Sequence, residues 1–422
     1  MSMTKKPVNG MKDILPREMK LRDYVTGLVK ETYGGFGFQS IETPCVEHIE
    51  NLCSKQGGEN EKLIFKIMKR GEKLDLLHAK EENDIADAGL RYDLTVPLSR
   101  YYANHANELP SPFKALQIGS VWRAERPQKG RFRQFVQCDI DILGDPSYLA
   151  EIELILATTT LLGKLDFKDF TVRINDRRIL KAMAMYAGFL DHELDGIFII
   201  LDKMDKIGEA GVREELVSAG LPEDAVGKYL DLFRKTSRDV EGIKSLKETL
   251  GDHLEGDAAD NLETIIASVE ATKDASFNIE FDPTLVRGMS YYTGTIFEIS
   301  MNEFGSSVAG GGRYDEMIGR FTGQKTCACG FSIGFERIIS ILLDKDFRVP
   351  DTSEKQVFLI EKGTSRDRLC EIMKDAAELR RRGVKVLVAQ MNKNKKFQKE
   401  QLLKEGYQPE NIRDYYNTEF KR

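Results

Sequence analysis

The chain has 422 residues, of which 41% are hydrophobic and 31% charged, and its formal net charge is -6. That length exceeds what one core organises and suits two or three domains at ~150 residues each, and no run of about 18 apolar residues is present to span a bilayer. The acidic balance argues against nucleic-acid binding through bulk charge and leaves only local basic patches to grip phosphates.

The N-terminal MSMTKKPVNGMKDILP has two lysines with no apolar stretch behind them, unlike a secretory signal, so a cytoplasmic location is expected. Residues 17 to 33 read as an amphipathic helix that stops at Gly34, Gly35 and Gly37, and an extended piece follows, ending at Pro44. KEENDIADAG, residues 80 to 89, reads as a solvated acidic loop. Leu116 to Arg123 and Phe135 to Leu143 alternate with period two. In the second, Val136, Cys138, Ile140 and Ile142 share one face, and Gln137, Asp139 and Asp141 share the other with Phe135. Thr171 to Asn175, Thr295 to Ser300 and Cys329 to Ile333 complete a predicted antiparallel sheet. From about 180 to 273 the texture is helical, with Leu262, Ile265, Ile266 and Val269 on one face. A last helix starts near Gly334. The expected divisions are a core in two parts (1 to 179 and 274 to 344), a helical insertion (180 to 273), a linker (345 to 355) and a C-terminal α/β domain (356 to 422). That last domain reads as one βαβ unit with Gly383 capping its helix, and its tail offers no obvious third strand.

The six cysteines are scattered, and a reducing compartment keeps them as thiols. Cys327 and Cys329 form a lone CxC with no second pair, so no structural metal is expected. The densest charge feature is VWRAERPQKGRFR, residues 121 to 133, set as a hairpin between two alternating strands with Pro127 and Gly130 in its loop. Arg123 and Glu125 end one strand, and Gln137 and Asp141 lie on the polar face of the next. Arginines suited to phosphates and carboxylates suited to an amine thus share one sheet. Three further features are LVRGMSYYTGTIFEI around Arg287, the triple glycine of AGGGRYD opening on Arg313, and GFSIGFER with Arg337 one turn into a helix. The glycine run is neither a dinucleotide fingerprint nor a P-loop.

Pro44 after an aromatic-glycine segment, the RxE hairpin with GRFRQF, and the GxxxGxER strand-helix together resemble motifs one, two and three of class II aminoacyl-tRNA synthetases. LVRGMSYYTGTIFE and AGGGRYD are similar to the signatures of the histidyl-tRNA synthetase family, and LRYDLTVPLSR to its amino-acid-binding segment. The resemblance covers residues 8 to 344 and, more loosely, 356 to 406. It implies an α+β fold in which an antiparallel sheet is flanked by helices, with a helical insertion and a small C-terminal α/β domain. It also implies formation of histidyl-adenylate from L-histidine and ATP with Mg2+, transfer to tRNA(His), and a homodimer.

By the same resemblance Arg123 and Arg337 hold ATP phosphates, Arg131 reaches the γ-phosphate, and Glu125 and Phe135 position the adenine end. Asp93, Thr95 and Gln137 hold the amino and carboxylate groups of histidine. Asp141 and Tyr292 read its imidazole, with Tyr291, Gly310 and Gly311 in the same site. Arg287 bridges the carboxylate and the α-phosphate, while Arg126, Gln128 and Arg133 face the acceptor end of tRNA. Such chemistry needs alignment and charge stabilisation rather than a base. Fittingly, none of the five histidines falls inside a motif. Ser290 stands where many members have aspartate. An alternative is a catalytically inactive relative that serves as a regulatory subunit of ATP phosphoribosyltransferase. Such proteins usually lack the C-terminal domain and the arginines at 123, 131, 287 and 337, all of which are present here.

Overall fold

A computed structural model describes residues 3–53, 60–128, 131–287, 292–301, 306–350 and 353–417. The chain divides into two compact units between Phe347 and Arg348. The first contains β1 (Gln39–Ser40), β2 (Val46–His48), β3 (Lys66–Met68), β4 (Ala86–Leu90), β5 (Phe113–Trp122), β6 (Gln134–Leu143), β7 (Phe170–Asp176), β8 (Phe277–Phe281), β9 (Thr295–Met301), β10 (Ser306–Arg313) and β11 (Ala328–Ile333). Eight of these form one sheet in the order β1-β5-β6-β11-β10-β9-β7-β8, and β2-β4-β3 form a small second one. The expected antiparallel pairing holds except at the two ends, where β1 with β5 and β7 with β8 run parallel.

Alternation places the core. Cys138, Ile140 and Ile142 of β6 are at most 1% exposed on one face, against which the helix Leu149–Lys164 packs, while the helix Pro16–Gly35 packs on that helix and on β5. Proline opens the helix Pro16–Gly35, where its missing N–H costs no hydrogen bond. Leu21, Val25, Val29 and Tyr33, four residues apart, form its buried stripe. Gly37, at φ 84°, then turns the chain in a conformation closed to most side chains. Residues 80 to 89 correct the sequence reading: Glu82–Ile85 is a helical turn and β4 follows directly. Its small residues Ala86, Ala88 and Gly89 carry no strand signature, yet Gly89 must be small, because a Cβ there would lie 2.9 Å from the Leu52 side chain.

Between β7 and β8 the chain runs through six α-helices from Arg177 to Thr272 before returning to pair in parallel beside the strand it left. Leu262, Ile265, Ile266 and Val269 are all buried. The second unit holds β12 (Lys355–Ile360), the helix Arg366–Arg381, β13 (Lys385–Gln390), the helix Lys395–Lys404 and β14 (Ile412–Tyr415). Gly383 takes φ 86° beyond the first helix, as its position suggested. The tail does supply a third strand, because β14 pairs in parallel with β12. It escaped sequence reading because its middle residues are Arg413 and Asp414. Asp414 is held by Lys399 at 2.7 Å, and Tyr415 supplies the apolar contact, its ring 5.1 Å from that of Phe358.

Candidate active site

The β5–β6 pairing runs out to Trp122 opposite Gln134 and leaves residues 123 to 133 as a loop over the polar face. Lys129 and Gly130 lie outside the described residues. The rest is anchored: Ala124 N donates to Leu63 O at 2.8 Å, Arg133 N to Gly10 O at 2.7 Å, and Arg133 Nε to Glu125 O at 3.1 Å. Gly10 has φ 83°, and a Cβ on it would lie 2.7 Å from Arg133 Cγ, so a glycine fits there on both counts. The loop, β6 and the start of the helix Phe335–Asp344 enclose a cavity of about 220 Å³.

Three arginines line that cavity: Arg123, Arg131 and Arg337. Arg123 Nε donates to Tyr92 O at 3.2 Å, and its guanidinium lies 4.3 Å from the Tyr92 ring and 5.1 Å from the Phe135 ring. Two aromatic faces thus fix a cation without consuming its outer N–H groups. Arg131 sits 3.5 Å from Glu125. Arg337 Nη1 donates to Ser307 O. Burial depresses the Arg337 pKa, and the neighbouring charges of Arg131 and Arg287 depress it further. Cations converge here, an arrangement that a polyanionic ligand would relieve.

At Ser332 this cavity meets a recess of about 30 Å³ lined also by Thr95, Asp139, Asp141, Tyr292, Gly310, Tyr314 and Gly330. The sheet register explains why space exists there. Asp141 stands between Ala115 and Gly330, and Asp139 faces Ser332, which faces Gly310. Small residues surround the carboxylates. Tyr314 OH donates to Asp141 Oδ1 at 2.6 Å, while Asp141 Oδ2 is buried with no hydrogen-bond partner among the described residues. Burial pushes Asp141 up to about 7, against the Tyr314 hydrogen bond and with help from Asp93. Asp139 is also held well above the carboxylate range, first by burial and then by Asp141. A buried, unmatched acceptor costs free energy unless a donor arrives, so the recess fits a small N–H group.

A Cβ on Gly330 would lie 2.0 Å from Asp141 Oδ1. Gly330→Ala is therefore expected to lower the unfolding free energy by ~1–3 kcal/mol through overpacking. Denaturant titration checks this, and an unmoved midpoint would show the recess to be looser than the geometry states.

Arg287 stands beside the recess, its Nε donating to Glu298. A Cβ on Gly310 would approach Arg287 Nη1 to 2.7 Å. Asp93 Oδ1 accepts from Val96 N at 3.0 Å at the start of the helix Thr95–His105, and burial raises its pKa. Gln137 donates to Ser332 Oγ at 3.2 Å, and its Oε1 is buried without a partner among the described residues.

Of the residues singled out from sequence, Arg123, Glu125, Arg131, Phe135, Gln137 and Arg337 line the cavity, and Thr95, Asp141, Tyr292 and Gly310 the recess. Gly311 does not line the recess: a Cβ on it would meet Gly330 O at 2.1 Å and the Phe297 ring. Tyr291 and Ser290 lie outside the described residues. Arg126 and Gln128 are exposed on the loop, whereas Arg133 is half-buried. Arg313 is structural: Nε and Nη2 grip Glu151 at 2.8 and 2.7 Å. Sequence reasoning missed Tyr314, Gly330, Ser332 and Glu298. Tyr314 follows Arg313 directly, and the polar alternation of Ser332 and Gly330 with Phe331 carried a signal.

Residues 10–338 match the profile of the histidyl-tRNA synthetase family. The histidine--tRNA ligase of Leifsonia xyli subsp. xyli is 45% identical over 385 residues, covering 89% of this chain and 88% of that protein. The histidine--tRNA ligase of Christiangramia forsetii is 39% identical over 354 residues, or 81% of this chain and 77% of that one. Histidyl-tRNA synthetase from Nostoc sp. PCC 7120 superposes with a TM-score of 0.78 at 29% identity, covering 96% of this chain and 90% of that one. An ATP phosphoribosyltransferase regulatory subunit/histidyl-tRNA synthetase from Bacillus halodurans shares the fold at a TM-score of 0.79, with 21% identity over 99% of this chain and 100% of that one. With its motifs, sheet and relatives in agreement, the chain belongs to the histidyl-tRNA synthetase family of class II aminoacyl-tRNA synthetases.

Proposed function

We propose that the chain activates L-histidine with ATP and transfers the histidyl group to the 3' end of tRNA(His). The observation that supports this best is the junction at Ser332 of an arginine-lined cavity with a recess holding the unpartnered Asp141 Oδ2. The cavity suits a triphosphate, and the recess suits the N–H edge of an imidazole. In this reading Arg123 and Arg337 hold the α-phosphate region, Arg131 reaches the γ-phosphate, and Phe135 and Glu125 meet the adenine. Asp93, Thr95 and Gln137 hold the amino and carboxylate groups, and Asp141 and Tyr292 read the imidazole, with Gly310 beside it.

A carboxylate oxygen of histidine attacks the α-phosphorus, the new P–O bond forms, and the bond to pyrophosphate breaks. The carboxylate is already a nucleophile at neutral pH, so no side chain needs to remove a proton. The site aligns the two reactants and stabilises charge on the equatorial oxygens, with Arg287 between carboxylate and phosphate. A ribose hydroxyl of tRNA then attacks the carbonyl carbon, the new ester C–O bond forms, the bond from that carbon to the phosphate oxygen of AMP breaks, and the hydroxyl proton is released to solvent. Arg126 and Gln128, exposed on the loop, are proposed to meet the acceptor end, and Arg133 to help through its hold on that loop.

Mg2+ would arrive on the triphosphate and neutralise part of its charge. No group of three or more His, Cys, Asp or Glu side chains among the described residues could hold a metal ion, and Mg2+ commonly takes one or two carboxylates together with phosphate oxygens. Glu125 lies 3.5 Å from Arg131, and Glu298 pairs with Arg287. No helix among the described residues is long and apolar enough to cross a membrane. The motif-one resemblance around Pro44 supports a homodimer, and a cytoplasmic location is proposed with it.

Asp141→Asn tests the assignment of the recess. The KM for histidine is expected to rise roughly 10-fold or more, since a hydrogen bond to a charged group contributes ~1.5–3 kcal/mol, while the KM for ATP changes little. Equal losses for both substrates would remove Asp141 from the imidazole site.

A further inference from the structure

One cross-strand row on the polar face spans seven strands of the large sheet. It runs Gln117, Asp139, Ser332, Gly310, Glu298, Arg173 and Glu280, each opposite the next. Asp139, Ser332 and Gly310 of the row line the recess. In the second half of the row is Glu298, only 7% exposed and flanked by two arginines. Its Oε2 accepts from Arg287 Nε, and its Oε1 lies 4.0 Å from Arg173 Nη1.

We propose that Glu298 is the positioning residue for Arg287, holding the guanidinium over Gly310 where it meets the reacting carboxylate and α-phosphate. This rests on the role assigned above to Arg287. Three observations carry it. First, Arg287 follows β8 outside any described helix or strand, so its own backbone leaves a long side chain many rotamers, and one buried carboxylate selects among them. Second, the bond to Glu298 engages Nε, while Gly310 leaves open the space that Nη1 occupies. Third, Glu298 is itself fixed. Arg173 is gripped by Asp282 through Nε at 2.6 Å and reaches Asp205 at 3.3 Å, so the far side of the carboxylate faces a cation that cannot swing away. Asp282 is fully buried and also lies 3.6 Å from Arg238.

There is an electrostatic reason for the arrangement as well. The charges of Arg131 and Arg287 disfavour that of Arg337, and Glu298 acts on it in the opposite sense. Before ATP arrives, Glu298 is the counter-charge that keeps Arg287 in place. When the phosphates bind, the outer N–H groups of Arg287 are already aimed, and little reorganisation remains for the reaction step.

The test is a double-mutant cycle in histidine-dependent exchange of pyrophosphate into ATP. Glu298→Gln keeps the shape and removes the charge. It is expected to lower kcat about 10-fold with little change in either KM, in the range seen when supporting partners of catalytic groups are lost. In an Arg287→Ala background the same change is expected to cost nothing further, because the group it positions is gone. A merely structural Glu298 would give the same loss in both backgrounds, and that result overturns the proposal. Should Glu298→Gln fail to fold, Glu298→Asp, which keeps the charge on a shorter arm, carries the same cycle with a smaller first loss. If Arg287→Ala alone leaves exchange intact, the reading of the site fails. If Arg287→Ala is crippled while Glu298→Gln runs at the wild-type rate, only this inference fails.

Discussion

Arg287→Ala is expected to lower histidine-dependent exchange of pyrophosphate into ATP by ~10²–10³-fold, the loss that follows removal of one preorganised charge contact to a transition state. The loss belongs mainly in kcat, because Arg123, Arg131 and Arg337 still line the cavity that takes the triphosphate. Arg287 differs from Arg313, which directly follows the glycine run. Arg313 spends its hydrogen bonds on Glu151 and on the Asp145 and Ser147 carbonyls. Arg287 engages one carboxylate through Nε and has a side chain 37% exposed, so its outer end remains available to a ligand. Steady-state exchange kinetics at saturating ATP and histidine check this. A variant within about twofold of wild type would remove Arg287 from the chemistry, since even one weak charge contact contributes more than that.

Glu336→Ala is expected to lower the unfolding free energy of the first unit by up to ~3–5 kcal/mol, the cost of breaking a buried ion pair by removing one partner, with Glu18 at 3.2 Å left as the remaining acceptor for Arg22. Arg22 Nη1 and Nη2 donate to the two Glu336 oxygens at 2.8 and 2.6 Å, and both residues are under 10% exposed. Glu336 Oε1 also accepts Val136 N at 3.2 Å, so one side chain ties the helix Pro16–Gly35, β6 and the helix bearing Arg337. Burial by itself would raise the Glu336 pKa, but the hydrogen bond and charge of Arg22 outweigh it and the net shift is downward. A depressed carboxylate stabilises the fold fully above the ordinary glutamate range and loses that contribution as pH falls below it. Denaturant titration at neutral and acid pH checks both statements. Glu336→Ala with an unmoved midpoint at neutral pH would show the pair to be incidental.

Where hydrophobic period and local chemistry agreed, the fold was legible. The alternation of β6 gave both the buried face of Cys138, Ile140 and Ile142 and the ligand face of Gln137 and Asp141, and the structure keeps that division. Strands that owe their pairing to neighbours were not legible. β4 is built from alanine and glycine, and β14 from four residues whose centre is charged. In neither case does propensity speak, because burial against a partner decides the conformation. The site shows the same boundary. Arg123 and Asp141 could be named from pattern, but Tyr314 as the donor to Asp141 and Gly330 as its spacer depend on a register joining residues 173 and 189 positions apart. Glu298 looked like an ordinary strand residue. Its meaning comes from Arg287 and Arg173, which only the folded sheet sets on either side of it.

The recess around Asp141 is proposed to select histidine for attack on ATP. Amino-acid-dependent exchange of pyrophosphate into ATP, measured with each of the twenty amino acids in turn, tests it directly. Exchange with histidine, and with no other amino acid at a comparable rate, is the predicted result. Exchange driven by a different amino acid would contradict the reading of the recess, and exchange with none would contradict the assignment of the arginine-lined cavity to adenylate formation.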